Sequence, residues 1–513
     1  MRTTAATTGL RALLLAPALA GVSGCVADDV DRSSEARTGP RDPVAVLRDS
    51  VPVIMDRADV PGLQLAYVES GRVAATAAFG TADAESGRPV TDRTIFEAAS
   101  LSKPVFAYAV LRMAERGEWD LDRPLWEILE YERLAHDERA GELTTRMVLT
   151  HVTGLPNWGG TPLEFVADPG ERWGYSGEGF VYLQKSVEAR TGLTLEQIAR
   201  REVFEPLGMS ESHYVWIEAF DTLAAIPHDE LGDPASRRKP ETGSAAGSLH
   251  TTASDYARFV VAILGGEGLD SAMHAAMLEP GSDVTGSEWG DDAEVKSHIF
   301  WGLGLGLQEG RRGRSFWHWG DQGGTARCFV VAYPDEGDAL VYFTNSANGL
   351  AIGPALLELA FDDDHWPLRW LDYGRYDDPA RLARLGVTRT FLEEGPDDGM
   401  AAFEGARAEF PDLLTEDQVN SLGYVLLRRD AVEEAVRVFE RNTVDFPESS
   451  NVWDSYGEGL RRAGRLEEAI QMYRKSIALD PSNANARRFV AEMEEEIAAP
   501  ASPGRRGPPS PES

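Results

Sequence analysis

The chain reads as an α+β domain, an antiparallel sheet flanked by helices, followed by an all-α repeat module. Three observations predict this. Strand-like runs at Leu63 to Val68 and Val73 to Phe79 are answered late in the chain by runs at Trp301 to Leu307, Cys328 to Tyr333 and Ala339 to Thr344, with helical sequence between. Gly423, Ala435, Phe439 and Pro447 recur 34 residues later as Gly457, Ala469, Tyr473 and Pro481. Ser100 and Lys103 stand three residues apart at the start of an amphipathic helix, the spacing that lets two side chains meet on one face.

Composition bounds the possibilities. The 513 residues carry 84 acids against 50 bases, a net charge of −34. At about 150 residues per domain this length predicts two or three domains and ample chain for a large core. A phosphate backbone needs a basic footprint, so this acidity excludes a nucleic-acid partner from the reading. Only five of the bases are lysines: Lys103, Lys185, Lys239, Lys296 and Lys475. None of the nine histidines forms a paired metal motif, and no metal or organic cofactor is implied.

The N-terminus places Arg2 and Arg11 before an apolar run from Ala12 to Val22, then Val22-Ser23-Gly24-Cys25. A basic start, a short apolar stretch and small residues read as an export signal over 1–25, and the run is too short for an ordinary spanning helix. Val-Ser-Gly-Cys resembles the bacterial lipobox, which implies a membrane-anchored lipoprotein held on the extracytoplasmic side by lipid on Cys25. Cys328 is then the sole free thiol, so no intramolecular disulfide is expected.

The polar, acidic stretch 26–42 suits a flexible tether. A helical pattern follows from Val44 to Ala58, then the strand pair joined at Glu69-Ser70-Gly71. Ser100 to Glu118 reads as a helix with apolar positions at Val105, Ala109, Leu111 and Met113. A helix at Ile352 to Phe361 closes the first domain, 43–362, and 363–398 reads as a connector. The 34-residue period with small residues, an aromatic and a terminal proline is similar to tetratricopeptide repeats, giving a helical module over 399–498. Two repeats are fewer than the usual minimum of about three, so the flanking helices Met400 to Phe410 and Ala484 to Ile497 are expected to cap the stack. Such stacked pairs present a groove, which makes a protein partner at the module an expectation. The proline-rich stretch 499–513 reads as disordered.

Phe96-Glu97-Ala98-Ala99-Ser100-Leu101-Ser102-Lys103 carries the chemistry. A serine hydroxyl is a poor nucleophile until a base removes its proton, and a desolvated lysine near a helix N-terminus has a pKa low enough to serve. The same helix start aims the Ser100 N–H at a developing oxyanion. Arginine cannot lose its proton in this way, which gives meaning to a lysine in a chain that otherwise uses arginine. Alone, Ser-x-x-Lys is common by chance. Its company is not: Thr150-His151-Val152-Thr153-Gly154-Leu155-Pro156, Gly174-Tyr175-Ser176-Gly177, Ala246-Gly247-Ser248 and His318-Trp319-Gly320 follow in order.

In these motifs, over about residues 43 to 362, the chain resembles the serine β-lactamase-like superfamily, specifically its class C and family VIII esterase branch. The resemblance implies a β-lactamase/transpeptidase-like fold with Ser100 as nucleophile and Lys103 and Tyr175 sharing general-base and general-acid work. It places His318, Gly320 and Asp321 at the substrate, with Asp321 offering a second oxyanion N–H. His318 is further expected to help Lys103 stabilise a Tyr175 phenolate. The implied activity is cleavage of a small-molecule ester, amide or peptide through an acyl-enzyme. Two departures count against efficient β-lactam hydrolysis: Gly177 replaces the family's asparagine, and His318 replaces its lysine. A cell-wall D-amino-acid peptidase is the second reading, and a binding protein with a decayed site, working through its repeats, is the third. Trp158, Trp317 and Trp319 are candidates to line the cleft, and His151 is read as a packing or hydrogen-bonding residue.

Overall fold

A computed structural model describes residues 42–411 and 415–498; the signal, tether, Cys25 and C-terminal-tail readings fall outside them, except for Asp42. Helix α1 (Pro43–Arg57) starts on an Asp42 cap and leads into β1 (Gly62–Glu69) and β2 (Arg72–Asp83), joined through left-handed Ser70 and Gly71. The remaining strands are β3 (Arg88–Pro89), β4 (Phe96–Ala99), β5 (Leu249–Thr251), β6 (Ser282–Asp283), β7 (Ile299–Trp301), β8 (Gly306–Gly310), β9 (Gly313–Asp321), β10 (Arg327–Tyr333) and β11 (Asp338–Thr344). Nine of them form one antiparallel sheet in the order β3-β2-β1-β11-β10-β9-β8-β7-β6, and β4 pairs with β5 separately.

Sequence ends meet sequence beginnings at the centre of the sheet, where Leu65 of β1 lies opposite Tyr342 of β11. Alternation along each strand feeds two cores. Ala66, Val68, Val341 and Phe343 face the helix Ala253–Gly265 and share a core with helix α2 (Ser102–Glu115), while Leu63, Leu65, Tyr67, Leu340 and Tyr342 face α1 and the helix Gly353–Ala360. With both faces covered, β1 and β11 read as continuous apolar runs, which explains their legibility.

One expected strand is two. The run from Trp301 to Leu307 breaks after Trp301 because Gly304 takes φ +88° and a side chain at Gly302 would strike the Met277 carbonyl at 2.3 Å. The expected connector is also structured. Its helix Trp366–Leu371 buries Trp366, Leu368 and Trp370 in the core of the first domain, and its helix Pro379–Glu394 joins the helical module through Val387 and Phe391. Seven described helices, from Pro379–Glu394 to Ala484–Ala498, make up that module. Its repeated glycines sit against the repeated aromatics: a Cβ on Gly423 would lie 2.3 Å from Phe439, and one on Gly457 3.0 Å from Tyr473. Among the described residues no helix is long and apolar enough to cross a membrane.

Candidate active site

Ser100 follows β4 directly and precedes α2 by one residue. The turn between them is built under tension. Ala99 is held at φ +45°, a left-handed conformation costly for a residue with a Cβ, and such strain collects where a side chain must be aimed. Ser102 secures it, donating to the Ala99 carbonyl at 2.6 Å and accepting from the Leu249 N–H at 2.9 Å. The turn leaves the Ser100 N–H without a protein acceptor among the described residues.

Lys103 lies in the first turn of α2, almost fully buried. Its Nζ donates to Ser100 Oγ at 3.0 Å and to the Ala246 carbonyl at 2.7 Å. Among the described residues no carboxylate forms a salt bridge with it. Burial alone pushes its pKa down to about 7, so a neutral amine is well populated near neutral pH. The displacement corresponds to about 5 kcal/mol against the charged form. The Ala246 carbonyl is held by its loop, in which Ala245 donates to Gln184 Oε1 at 2.8 Å and Ser244 to Ser248 Oγ at 2.7 Å.

Tyr175 comes from the loop before the helix Gly177–Thr191. Ser176 caps that helix through Gly179, and its own N–H donates to His151 Nδ1 at 3.0 Å. The His151 ring lies 4.5 Å from the Tyr175 ring, so His151 packs against the tyrosine and hydrogen-bonds the residue after it. Lys103 Nζ sits 4.8 Å from the centre of the Tyr175 ring. The phenol hydroxyl faces Ser100 closely enough for the serine to lower its pKa slightly, yet at no hydrogen-bonding geometry. Burial dominates and raises the pKa far above that of an ordinary phenol, so the hydroxyl stays protonated.

Ser100, Lys103 and Tyr175 are thus brought together. Of the three residues expected at the substrate, only Asp321 reaches the cleft. His318 is fully buried on β9, its ring stacked on that of Trp319 with centroids 5.2 Å apart and lying 5.6 Å from that of Trp301. Its Nδ1 is 2.8 Å from the Trp319 carbonyl, and burial together with Lys103 pushes its pKa down to about 3. His318 is therefore neutral at working pH. It supplies neither a handle for a substrate carboxylate nor a cation for a Tyr175 phenolate. Gly320 acts through what it lacks. A Cβ there would lie 2.4 Å from both the Ala98 carbonyl and Cys328 Sγ, so glycine lets β9 close against the nucleophile turn.

The cleft above these groups has a volume of about 930 Å³. Trp158 and Trp319 line it, whereas Trp317 is core. Sequence reasoning missed Asn157, Arg238, Trp289 and Tyr373, which also line it. Asn157 explains the departure at Gly177: a Cβ at position 177 would lie 2.9 Å from both the Asn157 carbonyl and the Trp158 ring. Asn157 Oδ1 accepts from the Gly177 N–H at 3.0 Å, leaving an amide group beside the position the family fills with asparagine.

Comparison with known proteins agrees with this geometry. The family model Beta-lactamase matches residues 47–363, and a Tetratricopeptide repeat model matches 450–493. Esterase EstB of Burkholderia gladioli is 31% identical over 201 residues, 33% of this chain and 50% of the esterase. Penicillin-binding protein 4* of Bacillus subtilis (strain 168) is 24% identical over 335 residues, 57% of this chain and 70% of that protein. The chain therefore spans about half of the esterase's length. Among solved structures, the octameric penicillin-binding protein homologue from Pyrococcus abyssi superposes with a TM-score of 0.53 at 21% identity, covering 68% of this chain and 81% of that one. The D-alanine carboxypeptidase AmpC from Burkholderia cenocepacia superposes with a TM-score of 0.52 at 17% identity, covering 62% and 99%. At these identities the two structures establish a shared fold.

Proposed function

The chain belongs to the Beta-lactamase family of serine hydrolases, and from that premise we propose that it cleaves an ester or amide bond through an acyl-enzyme on Ser100. The observation that carries the reading is the 3.0 Å contact between Lys103 Nζ and Ser100 Oγ, made by an amine whose pKa lies at about 7. Neutral Lys103 takes the Ser100 proton as Oγ attacks the carbonyl carbon. The N–H groups of Ser100 and Asp321 receive the oxyanion. As the intermediate collapses, Tyr175 gives its proton to the departing oxygen or nitrogen and is reprotonated by the Lys103 ammonium. Water, deprotonated by Lys103, then attacks the acyl carbon; the bond to Ser100 Oγ breaks, and Oγ takes the proton back from the Lys103 ammonium.

Ester or simple amide substrates suit this site better than β-lactams, since His318 is neutral and Gly177 has no side chain. The relatives named penicillin-binding protein and D-alanine carboxypeptidase keep a D-amino-acid peptidase as the second reading. Fluorophosphonate labelling and turnover of p-nitrophenyl esters, both lost in Ser100→Ala, support the hydrolase; activity on D-alanyl peptides without ester turnover selects the peptidase. No Ser100-dependent label would leave a binding protein.

We also infer export and lipid attachment at Cys25, supported by Arg2, Arg11, the apolar run and Val-Ser-Gly-Cys. Incorporation of labelled palmitate that is lost in Cys25→Ala is the test. The helical module is proposed to dock a protein partner, which affinity capture with and without residues 399–498 examines.

A further inference from the structure

A second cavity, of about 830 Å³, lies where the hydrolase domain meets the helical module. It adjoins the catalytic cleft, for Gly323, Gly324, Asp372 and Tyr373 wall both. In a chain of net charge −34, this cavity is lined by five arginines and three acids. Most of the arginines come from the helical module: Arg381 and Arg384 from the helix Pro379–Glu394, Arg428 and Arg429 from the end of the helix Glu416–Arg428.

The ion pairs do not engage them all. Arg429 pairs with Asp229 and with Asp233 at 2.6 Å, Arg384 with Glu230 at 3.1 Å, and Arg327 with Asp321 at 3.1 Å. Arg381 forms no salt bridge among the described residues: it donates to Asn348 Oδ1 at 2.5 Å, and its buried Nε has no partner there. Burial, then the neighbouring Arg384 and Arg327, lower its pKa, with Glu230 and Asp378 offsetting part of the effect. Arg428 is exposed and forms no ion pair among the described residues. The half-buried Arg381 guanidinium thus keeps a donor free, and a planar donor fork matches a carboxylate or phosphate.

We propose that this cavity binds an anionic group at the far end of the substrate, so that the helical module takes part in substrate selection. The substrate is then an ester or amide whose chain runs from Ser100 past Tyr373 and ends in a carboxylate or phosphate held by Arg381 and Arg428. This deepens, and rests on, the reading of Ser100 as nucleophile.

The test uses the full chain and p-nitrophenyl monoesters of straight-chain dicarboxylic acids of increasing length, each against its methyl-ended counterpart, with phosphate-ended esters as a second arm. The ratio of kcat/KM, anionic over neutral, is expected to rise to about tenfold once the chain is long enough, and to fall with added salt. Arg428→Gln, at an exposed position, and Arg381→Gln should each bring the ratio down several-fold, with Arg381→Lys retaining part of it. The arm with the larger ratio identifies the anion. A ratio near one at every length, or one unmoved by both variants, overturns the proposal. If no ester is turned over, the nucleophile reading fails and calorimetry decides the cavity: salt-sensitive binding of the free dicarboxylate or alkyl phosphate, weakened about tenfold in Arg428→Gln, supports it, and no binding overturns it.

Discussion

Lys103 Nζ lies 3.0 Å from Ser100 Oγ within a single helical turn, and a carbonyl, not a carboxylate, holds its other side. A carboxylate would keep the amine charged; a carbonyl orients it without fixing the proton. Deprotonated Lys103 is the active form, so acylation should be slow in acid, rise through about pH 7 and level off above. Pre-steady-state acylation rates from pH 5 to 9 check this. Lys103→Arg keeps the charge and removes the base, and should cost about a thousandfold in kcat/KM.

His318 contributes no limb to that profile. Its pKa is pushed down to about 3, so it is neutral across the same range. His318→Gln should therefore leave the midpoint of the rising limb where wild type has it. A midpoint displaced by a full pH unit would show that His318 is charged and coupled to Lys103.

Gly320 lets β9 approach the nucleophile turn. In Gly320→Ala the new methyl meets the Ala98 carbonyl, which is backbone and cannot swing away. The expected result is a loss of about 1–3 kcal/mol in urea unfolding, together with a fall in kcat. Cys328→Ala relieves only one of the two contacts and should recover only part of the loss.

Gly177→Asn restores the family residue where Asn157 and Trp158 now stand. Its Cβ falls 2.9 Å from both. Ester turnover should drop by about ten- to a hundredfold as Tyr175, two residues away, is displaced. Trp158→Ala in the same chain, which removes the ring but not the Asn157 carbonyl, should return part of it.

The order of motifs made the nucleophile, the lysine and the tyrosine legible, because each sits at an element boundary with a distinctive local pattern. The central strands were legible too, since β1 and β11 are buried on both faces. The cleft walls were not. Asn157, Arg238, Trp289 and Tyr373 come from separate loops whose sequences carry no shared pattern, and only tertiary packing assembles them. Tyr373 was hidden within a stretch read as a connector, whose tryptophans in fact belong to the core. The burial of His318 was not legible either: its ring stacks on Trp319 and lies beside Trp301 and Tyr175, which only the folded chain brings to it.

Two helical glycines in the module should respond to alanine with opposite signs. Removing a glycine from a helix interior gains about 1 kcal/mol of backbone entropy and propensity wherever the methyl has room. Gly405, exposed in the helix Pro396–Glu409, has nothing within 4 Å of its would-be Cβ and should show this gain. Gly423 should not. Its Cβ would lie 2.3 Å from the Phe439 ring, which is fully buried and has no open space to move into. Overpacking of about 1–3 kcal/mol exceeds the helix gain, so Gly423→Ala should lower the unfolding midpoint of the module while Gly405→Ala raises it. Thermal unfolding of both variants, followed by circular dichroism at a helical wavelength, decides the matter. Equal shifts of the same sign would mean that the 34-residue spacing of glycine and aromatic does not set the packing of the helix pairs.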